Sequence, residues 1–138
     1  MPRLRRVSIS LEEDLYGKLE GLRRRAGFRN RSEFVRAMVR DRLVTQEWEA
    51  NREALATVTL VYDHHQRELS ARLTDIQHHR HGSILAATHV HLDEDLCAEM
   101  IMLRGRAADL RRLADRLRQQ RGVLHGALSM SSTGKRLA

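Results

Sequence analysis

Polar and apolar residues alternate along residues 5–11, where Arg6, Ser8 and Ser10 fall on one side and three aliphatic residues fall on the other. A period of two is typical of a β-strand with one buried face. A single strand of this kind is not stable alone, so it needs a second strand to pair with. The pattern therefore predicts a strand that pairs with its own copy in another subunit.

Two helices are predicted after this strand. The Ser10-Leu-Glu-Glu sequence has the spacing of a capping box, and leucines recur at helical intervals up to Gly27. Asn30, with Glu33 three residues later, resembles a second helix cap, and the apolar stripe of the second helix extends to Leu43. The N-terminal part is therefore predicted to fold as strand, helix, turn, helix.

The remainder of the chain contains six predicted elements. They are a strand at 54–62, a helix at 64–80, strands at 83–92 and 96–103, a helix over 110–117 that stops at Gly122, and a strand at 123–130. The order βαββαβ is that of the ferredoxin-like fold, with two helices on one face of an antiparallel sheet. The predicted fold class is α+β, with a βαα unit at residues 1–50 and a βαββαβ domain at 51–138. The junction between them contains neither Gly nor Pro, so the second helix can continue into it.

Length and composition fit a soluble globular protein, since 41% of the 138 residues are hydrophobic and 31% are charged. No apolar run approaches the roughly 20 residues that span a membrane. The start MPRLRR lacks the apolar segment of a signal peptide. The single cysteine, Cys97, cannot form an internal disulfide, which suits a reducing compartment. We therefore expect a cytoplasmic protein that does not enter the membrane.

The net charge of +7 favours a polyanionic partner. Residues 1–42 hold twelve Arg and Lys against six Asp and Glu. A solvated, Arg-rich surface would account for much of this excess, so charge alone leaves nucleic-acid binding open. A unit of about 50 residues buries too little core to be stable by itself, and the N-terminal unit should therefore be an obligate dimer.

The opening strand supplies a more specific signal for DNA. Two copies paired antiparallel form a two-stranded ribbon, which fits the major groove. There Arg6 can donate to guanine O6 and N7, while Ser8 and Ser10 contact bases or phosphates. The alternative is an exposed edge strand in which Ser10 only caps a helix. The two helices that follow favour the DNA-binding interpretation.

Five histidines and the only cysteine lie within twenty residues. His89 and His91 are two residues apart in a predicted strand, so both side chains leave the same face, and Cys97 follows on the next strand. Three more histidines lie in the sequence 77–81 at the end of a helix. Imidazole and thiolate together suit Ni(II), Cu(II), Zn(II) and Co(II). Spacing leaves open which helix histidine joins the strand ligands.

Other interpretations of these residues are weaker. Any one histidine alone is more simply explained as exposed or hydrogen-bonded, and His64, His65 and His125 are the less specific ones. Cys97 with His89 imitates a nucleophile and its base, but no third group, oxyanion site or phosphate loop accompanies them. We therefore expect a metal-binding protein and not an enzyme.

Taken together, these motifs resemble a known family. The Arg6-x-Ser8-x-Ser10 strand, Gln77-His78, the Thr88-His89-Val90-His91 strand, Cys97 and the run from Tyr62 to Leu69 are similar to those of the nickel-responsive repressors called NikR. The resemblance extends from about residue 5 to about residue 130. The histidine–cysteine pattern is specific, whereas many ribbon-helix-helix repressors share the N-terminal strand pattern.

The resemblance implies a homotetramer, in which two DNA-binding dimers flank a core of four ACT-type ligand-binding domains. It implies that each subunit binds one Ni(II). The ion would be held by His89, His91 and Cys97 of one subunit and by His78 of a neighbour.

The resemblance also implies a repressor that binds double-stranded operator DNA when nickel is bound. Arg6, Ser8 and Ser10 would contact the operator, and Arg36 and Arg67 would support the DNA-bound state.

One departure from the family pattern concerns a second cation site. Family members commonly carry an acidic residue one helical turn after the position of Glu33, and here that position is Ala37. Loss of one carboxylate weakens a site for a hard cation. We therefore do not expect this second site in its usual form.

Three other functions are compatible with parts of the sequence. The first is a ribbon-helix-helix regulator that senses another transition metal. The second is a regulator that senses a small metabolite through its ACT-type domain, which would not need His78, His89, His91 and Cys97 together. The third is an antitoxin-like protein, which would have a disordered C-terminal half; the periodic strands and helices after residue 54 argue against it.

Overall fold

A computed structural model describes residues 3–138; Met1 and Pro2, the start of the predicted first domain, lie outside the described residues. The chain divides into two compact units. The first comprises the described residues up to Leu43 together with Leu137–Ala138, and the second comprises Val44–Arg136. Within residues 3–138, no helix is long and apolar enough to cross a bilayer.

Two helices form the first unit, α1 (Glu13–Arg25) and the start of α2 (Arg31–Glu49). The predicted cap of α2 is confirmed, because Asn30 Oδ1 accepts a hydrogen bond from the backbone N–H of Glu33 at 2.9 Å. The prediction that this helix continues into the junction is also confirmed, since α2 ends at Glu49 and its last residues belong to the second unit.

The turn between α1 and α2 is held by Arg23. Its guanidinium donates to the carbonyl oxygen of Phe28 at 2.7 Å and to Glu20 Oε2 at 2.8 Å. Arg31 donates to the other oxygen of Glu20 at 2.7 Å, and the rings of Phe28 and Phe34 pack 5.5 Å apart. The hydrogen bond from Arg23 is the main reason that the pKa of Glu20 lies below its usual value. These contacts fix the turn, and with it the direction in which α2 begins.

The segment before α1 differs from two predictions. The N-cap residue of α1 is Glu12, which makes no side-chain capping bond, so Ser10 does not cap this helix. Residues 3–12 carry neither helix nor strand, and the predicted strand at 5–11 is not formed within one chain. The physical reason is that strand hydrogen bonds need a partner strand. The expected partner belongs to another subunit.

Replacing Asn30 by alanine should lower the free energy of unfolding by about 1 kcal/mol, because it removes the side-chain acceptor that satisfies a free N–H at the start of α2. The change can be measured by urea denaturation followed by circular dichroism. Asn30→Asp is the matched control, because a carboxylate oxygen also caps a helix. Equal destabilisation by both substitutions would show that the cap contributes nothing.

Six elements form the second unit, in the predicted order βαββαβ. They are β1 (Glu53–Asp63), α3 (Leu69–His78), β2 (Ile84–His91), β3 (Leu96–Arg106), α4 (Ala107–Arg118) and β4 (Val123–Ser131). The strands pair antiparallel in the order β2-β3-β1-β4, which is the ferredoxin-like arrangement. The prediction ended this strand at Leu103, whereas β3 continues through Gly105 to Arg106, and α4 follows at once.

Helix α3 begins later than predicted. The prediction started it at residue 64, whereas residues 64–68 form turns and the helix begins at Leu69. Asp63 Oδ1 accepts from the backbone N–H of His65 at 2.8 Å, and Glu68 adopts a left-handed conformation with φ of 67°. His64 and His65 therefore lie in a loop beside the end of β1 and do not open the helix.

The core lies between the sheet and the two helices. Alternate residues of β1 from Ala54 to Tyr62 are buried, as a period of two requires. They pack with Leu69, Leu73 and Ile76 of α3 and with Leu110, Leu113 and Leu117 of α4. Trp48, near the end of α2, joins the same core and donates from Nε1 to the carbonyl oxygen of Ser131 at 2.8 Å. The last turns of α2 are thus part of the second unit.

Candidate functional site

The strand pair β2–β3 brings together the residues that the sequence singled out. In its register His91 lies opposite Cys97, and His89 lies opposite Glu99. The connecting turn is held by Asp93, whose Oδ1 accepts from the backbone N–H groups of Leu96 and Asp95, both at 2.8 Å. These hydrogen bonds, that of Leu96 first, lower the pKa of the Asp93 carboxyl. The turn is therefore ordered, and it fixes the register that places imidazole beside thiol.

A group of three potential metal ligands results. Cys97 Sγ lies 3.4 Å from His91 Nδ1. His64 completes the group, and one ligand atom of each residue lies within 4.8 Å of the others. The backbone N–H of His64 donates to the carbonyl oxygen of Asp95 at 2.8 Å, which holds the end of β1 against the β2–β3 turn. Both histidines are exposed, whereas Cys97 is buried.

Cys97 is fully buried at the start of β3. Burial raises the pKa of its thiol, and the carboxylates of Asp63 and Asp93 raise it further. A raised pKa means that the sulfur carries a proton at neutral pH, so a metal ion must displace that proton to bind the thiolate. The negative charge near the thiol is complementary to a divalent cation.

His89 lies beside this group on the same face of β2. Its ring centroid is 5.2 Å from that of His91 and 6.1 Å from that of Tyr62, which it meets edge-on. Among the described residues the group of mutually close ligand atoms contains His64 and not His89. Because His89 is exposed and its imidazole is adjacent to that of His91, it stays a candidate ligand.

Glu99, which was not predicted from the sequence, lies opposite His89 on the neighbouring strand and accepts hydrogen bonds from two other elements. Glu99 accepts hydrogen bonds from the Tyr62 hydroxyl at 3.3 Å and from Gln77 Nε2 at 2.9 Å. Burial, with the charge of Glu99, raises the pKa of Tyr62 to about 12, so this hydroxyl stays a donor. The network joins β1, β3 and the end of α3 next to the candidate ligands.

His78 is the last residue of α3 and is exposed. It is not a member of the ligand group that forms within one chain. Its neighbours in the 77–81 sequence bond locally, as His79 Nδ1 lies 2.8 Å from the carbonyl oxygen of Asp75. Within residues 3–138 the ring of His78 makes no hydrogen bond or ion pair, and its expected role as a ligand depends on a second subunit.

The order of the strands in the predicted fold is a signal for His64 that spacing along the chain does not contain. In a ferredoxin-like sheet β1 lies next to β3, and here Asp63 pairs with Leu96. The residue that follows β1 must therefore lie near the residue that opens β3, which places His64 near Cys97. Topology, and not spacing along the chain, is what identifies this histidine.

The predicted DNA-contacting residues are all exposed. Arg6, Ser8 and Ser10 lie in the segment before α1, Arg36 lies on α2, and Arg67 lies in the turn before α3. No side chain among them is buried in a core, so each is available to a partner.

The donor set fits a borderline transition metal. A thiolate with neighbouring imidazoles suits Ni(II), Cu(II) or Zn(II), whereas Mg²⁺ and Ca²⁺ prefer oxygen ligands. The chain joins a two-helix unit, which carries an exposed basic segment, to a sheet domain with this donor set. These features are those of a DNA-binding protein that also binds a transition metal.

Comparison with known proteins agrees with this class. Residues 5–46 match "Ribbon-helix-helix protein, copG family", and residues 55–131 match "NikR C terminal nickel binding domain". The chain is 47% identical to a "Putative nickel-responsive regulator" of Solibacter usitatus, with 97% of each chain covered. It is 46% identical to a protein of the same name from Nitratidesulfovibrio vulgaris, with 99% of each covered. The chain belongs to the NikR family of nickel-responsive regulators.

A solved structure supports the fold of the second unit. The uncharacterized protein TM1266 from Thermotoga maritima superposes with a TM-score of 0.52 at 15% identity, covering 57% of this chain and 98% of that one. At this identity the likeness concerns the fold alone.

Proposed function

We propose that this protein is a nickel-responsive repressor, which binds operator DNA when Ni(II) occupies a site built on β2 and β3. The observation that carries the proposal is the cluster of the Cys97 thiol with the imidazoles of His91 and His64, whose ligand atoms lie within 4.8 Å of one another. This cluster is in the domain that matches the family's nickel-binding domain. The N-terminal unit, which matches a ribbon-helix-helix protein, supplies the DNA-binding function.

The proposed ligands are His89, His91 and Cys97 of one subunit with His78 of a second subunit, one ion per subunit. Several features support this set. His89 and His91 leave the same face of β2, and Cys97 is directly opposite His91. His78 ends its helix exposed, as a residue donated to a neighbouring subunit must be. His64 is also close to the sulfur of Cys97. Titration of the His64→Ala variant with Ni(II) measures how much this fifth residue contributes to the affinity for nickel.

Nickel titration of the purified protein tests the function most directly. Three imidazoles and one thiolate fixed by two subunits should hold Ni(II) in a plane, which gives a diamagnetic ion and a thiolate-to-metal absorption band in the near ultraviolet. Copper(II) should bind tightly in the same plane, whereas zinc favours a tetrahedron and should not organise the site in the same way.

The second half of the same experiment is DNA binding with and without bound nickel, measured by fluorescence anisotropy on an operator fragment. Operator affinity should rise when the band has saturated. A band without any change in DNA affinity would leave a nickel-binding protein that is not a nickel-dependent repressor.

We infer that the functional protein is a homotetramer, with two DNA-binding dimers. In the first unit only Phe34 is buried among the described residues up to Leu43, and no residue of α1 is buried. Large apolar side chains there stay exposed, among them Val7 at 79%, Leu22 at 49% and Val39 at 54%. A second copy would cover them and would supply the missing partner strand.

The second unit also leaves apolar surface uncovered. Val90 and Met100 lie on the sheet face opposite the helices, and each is 50% exposed. A further interface is therefore available, as a ligand set shared between subunits requires. Light scattering at micromolar concentration should give the mass of a tetramer even without metal. A monomer would contradict both the ribbon and the shared site.

A further inference from the structure

A polar pocket of about 580 Å³ lies in the second unit, away from the candidate metal centre. The end of α2, the loop between α2 and β1, the last residue of β3 and the C-terminal tail form its walls. It is at the end of β1 where Glu53 pairs with Arg106, whereas the metal candidates are at the other end, where Tyr62 pairs with Cys97. The pocket is therefore separate from the site described above.

Cationic side chains dominate its walls. Lys135 is committed to Glu53, with Nζ 3.2 Å from Oε2, and Arg104 contacts the other oxygen of the same carboxylate at 2.9 Å. Arg52, Arg106 and Arg136 also line the pocket, and within residues 3–138 their guanidinium groups form no ion pair or side-chain hydrogen bond. Three unpaired guanidinium groups around one cavity attract an anion, since their planar N–H donors match the oxygens of phosphate and carboxylate.

Glu47, which also lines the pocket, needs a hydrogen-bond donor and not an anion. Glu47 is only 8% exposed, and its Oε2 has no hydrogen-bond donor among the described residues. A buried carboxylate oxygen without a donor is energetically costly. The complement of this pocket is therefore a group that carries both negative charge and a hydrogen-bond donor.

We propose that the pocket binds a hydrogen phosphate group, whose oxygens contact Arg52, Arg106 and Arg136 and whose P–O–H donates to Glu47. Sulfate has nearly the same size and charge, but it carries no proton at neutral pH, so Glu47 would repel it. A DNA phosphodiester also lacks an O–H, which distinguishes this pocket from the DNA-binding surface. The volume exceeds that of one phosphate ion and leaves room for a small phosphomonoester.

Calorimetric titration of the full-length, metal-free protein tests the proposal. Sodium phosphate and sodium sulfate are compared at equal ionic strength in a chloride-containing buffer at neutral pH. Phosphate should bind at least about tenfold more tightly than sulfate, because a site built around a ligand O–H rejects the analogue that lacks it. Equal binding of the two anions, or no binding of either, overturns the proposal.

Two substitutions identify the groups involved. Glu47→Gln should raise sulfate affinity towards that of phosphate, since an amide can donate where the carboxylate could only accept. Arg106→Gln should weaken phosphate binding about tenfold through loss of a charge-assisted hydrogen bond. Arg116→Gln, exposed on α4 and outside the pocket wall, is the matched control and should change nothing.

Arg106 is exposed, so its replacement leaves the fold intact and keeps the test decisive even if Glu47→Gln is unstable. A normal phosphate affinity in Arg106→Gln, or an equal loss in Arg116→Gln, would overturn the assignment.

The source of the phosphate group is decided by a second titration near pH 6, close to the second pKa of a phosphomonoester. Tighter binding of glycerol phosphate than of inorganic phosphate indicates an organic ester, and binding of inorganic phosphate alone indicates the free ion. None of these measurements uses nickel or operator DNA. Absence of phosphate binding would therefore leave the proposed nickel-dependent DNA binding unaffected. Absence of nickel-dependent DNA binding would equally leave the phosphate proposal unaffected.

Discussion

Replacing Cys97 by serine is expected to abolish the near-ultraviolet nickel band and to weaken nickel binding by at least about 100-fold. The band arises from the thiolate, so no hydroxyl can supply it. Changes to residues that only support metal ligands commonly cost 10- to 100-fold in affinity, and the loss of a ligand should reach or exceed the upper end of that range. Absorbance-monitored titration of Cys97→Ser with Ni(II) measures both effects.

The same variant should lose most of its nickel-dependent operator binding and keep its assembly. Cys97 is fully buried at the start of β3, and a serine hydroxyl fits the space of a thiol and can still bond to His91 Nδ1, which lies 3.4 Å from the sulfur. The fold therefore does not need the thiol. Light scattering should report an unchanged mass, while anisotropy with operator DNA should show little response to nickel.

His65→Ala is the matched control for this substitution. His65 is next to His64 in the chain but is not a member of the ligand group, and its Nε2 lies 3.1 Å from Asp95 Oδ1. An exposed pair of this kind contributes little. The control should keep the band, the nickel affinity and the response on DNA. A Cys97→Ser protein that keeps the band and responds to wild-type nickel concentrations would place the sensor site elsewhere.

The second unit could be predicted from sequence because its elements have strong local signals. Strand β1 buries every second residue, and Leu110, Leu113 and Leu117 place one face of α4 on the core. The start of α3 could not be predicted in this way. It is set by a contact across the fold, in which His64 N–H donates to the carbonyl of Asp95, and by the left-handed Glu68. Local periodicity contains neither fact.

The candidate metal site likewise contains residues that local patterns predict and residues that they do not. His89, His91 and Cys97 were predicted because a strand period and a short turn bring them together. His64 and Glu99 were missed because their positions depend on which strands are neighbours in the sheet. His64 follows the end of β1, and Glu99 meets Tyr62 of β1 and Gln77 of α3. Such residues emerge only when the topology is applied to the sequence.

The N-terminal strand shows a different limit. Its alternating pattern is clear, yet residues 3–12 form no strand in one chain. In the proposed dimer, the hydrogen bonds that order it would come from a second subunit. The apolar side of the pattern, Val7 and Ile9, is 79% and 70% exposed in one chain. The pattern therefore specifies an assembled state, in which Arg6, Ser8 and Ser10 would face the DNA.

Replacing Arg6 by alanine should lower the discrimination between operator and random DNA by about 1 to 3 kcal/mol, the usual contribution of one bidentate contact to guanine. The reason is positional. Arg6 has the same strand parity as Ser8 and Ser10, so the proposed ribbon would present all three to the major groove. Of the three, only the arginine can donate twice to O6 and N7 of one base. Binding to random DNA, which depends on phosphate contacts, should fall much less.

The measurement is a pair of titrations at fixed salt concentration, with nickel-loaded protein on operator DNA and on a random fragment of equal length. Arg24→Ala is the control, because Arg24 carries the same charge in the exposed last turn of α1, away from the strand. It should reduce both affinities slightly and leave their ratio unchanged. If Arg6→Ala also weakens the two DNAs equally, the guanidinium contacts only phosphate. The ribbon would then distinguish sequence through Ser8, Ser10 or the shape of the operator, because a phosphate contact carries no base information.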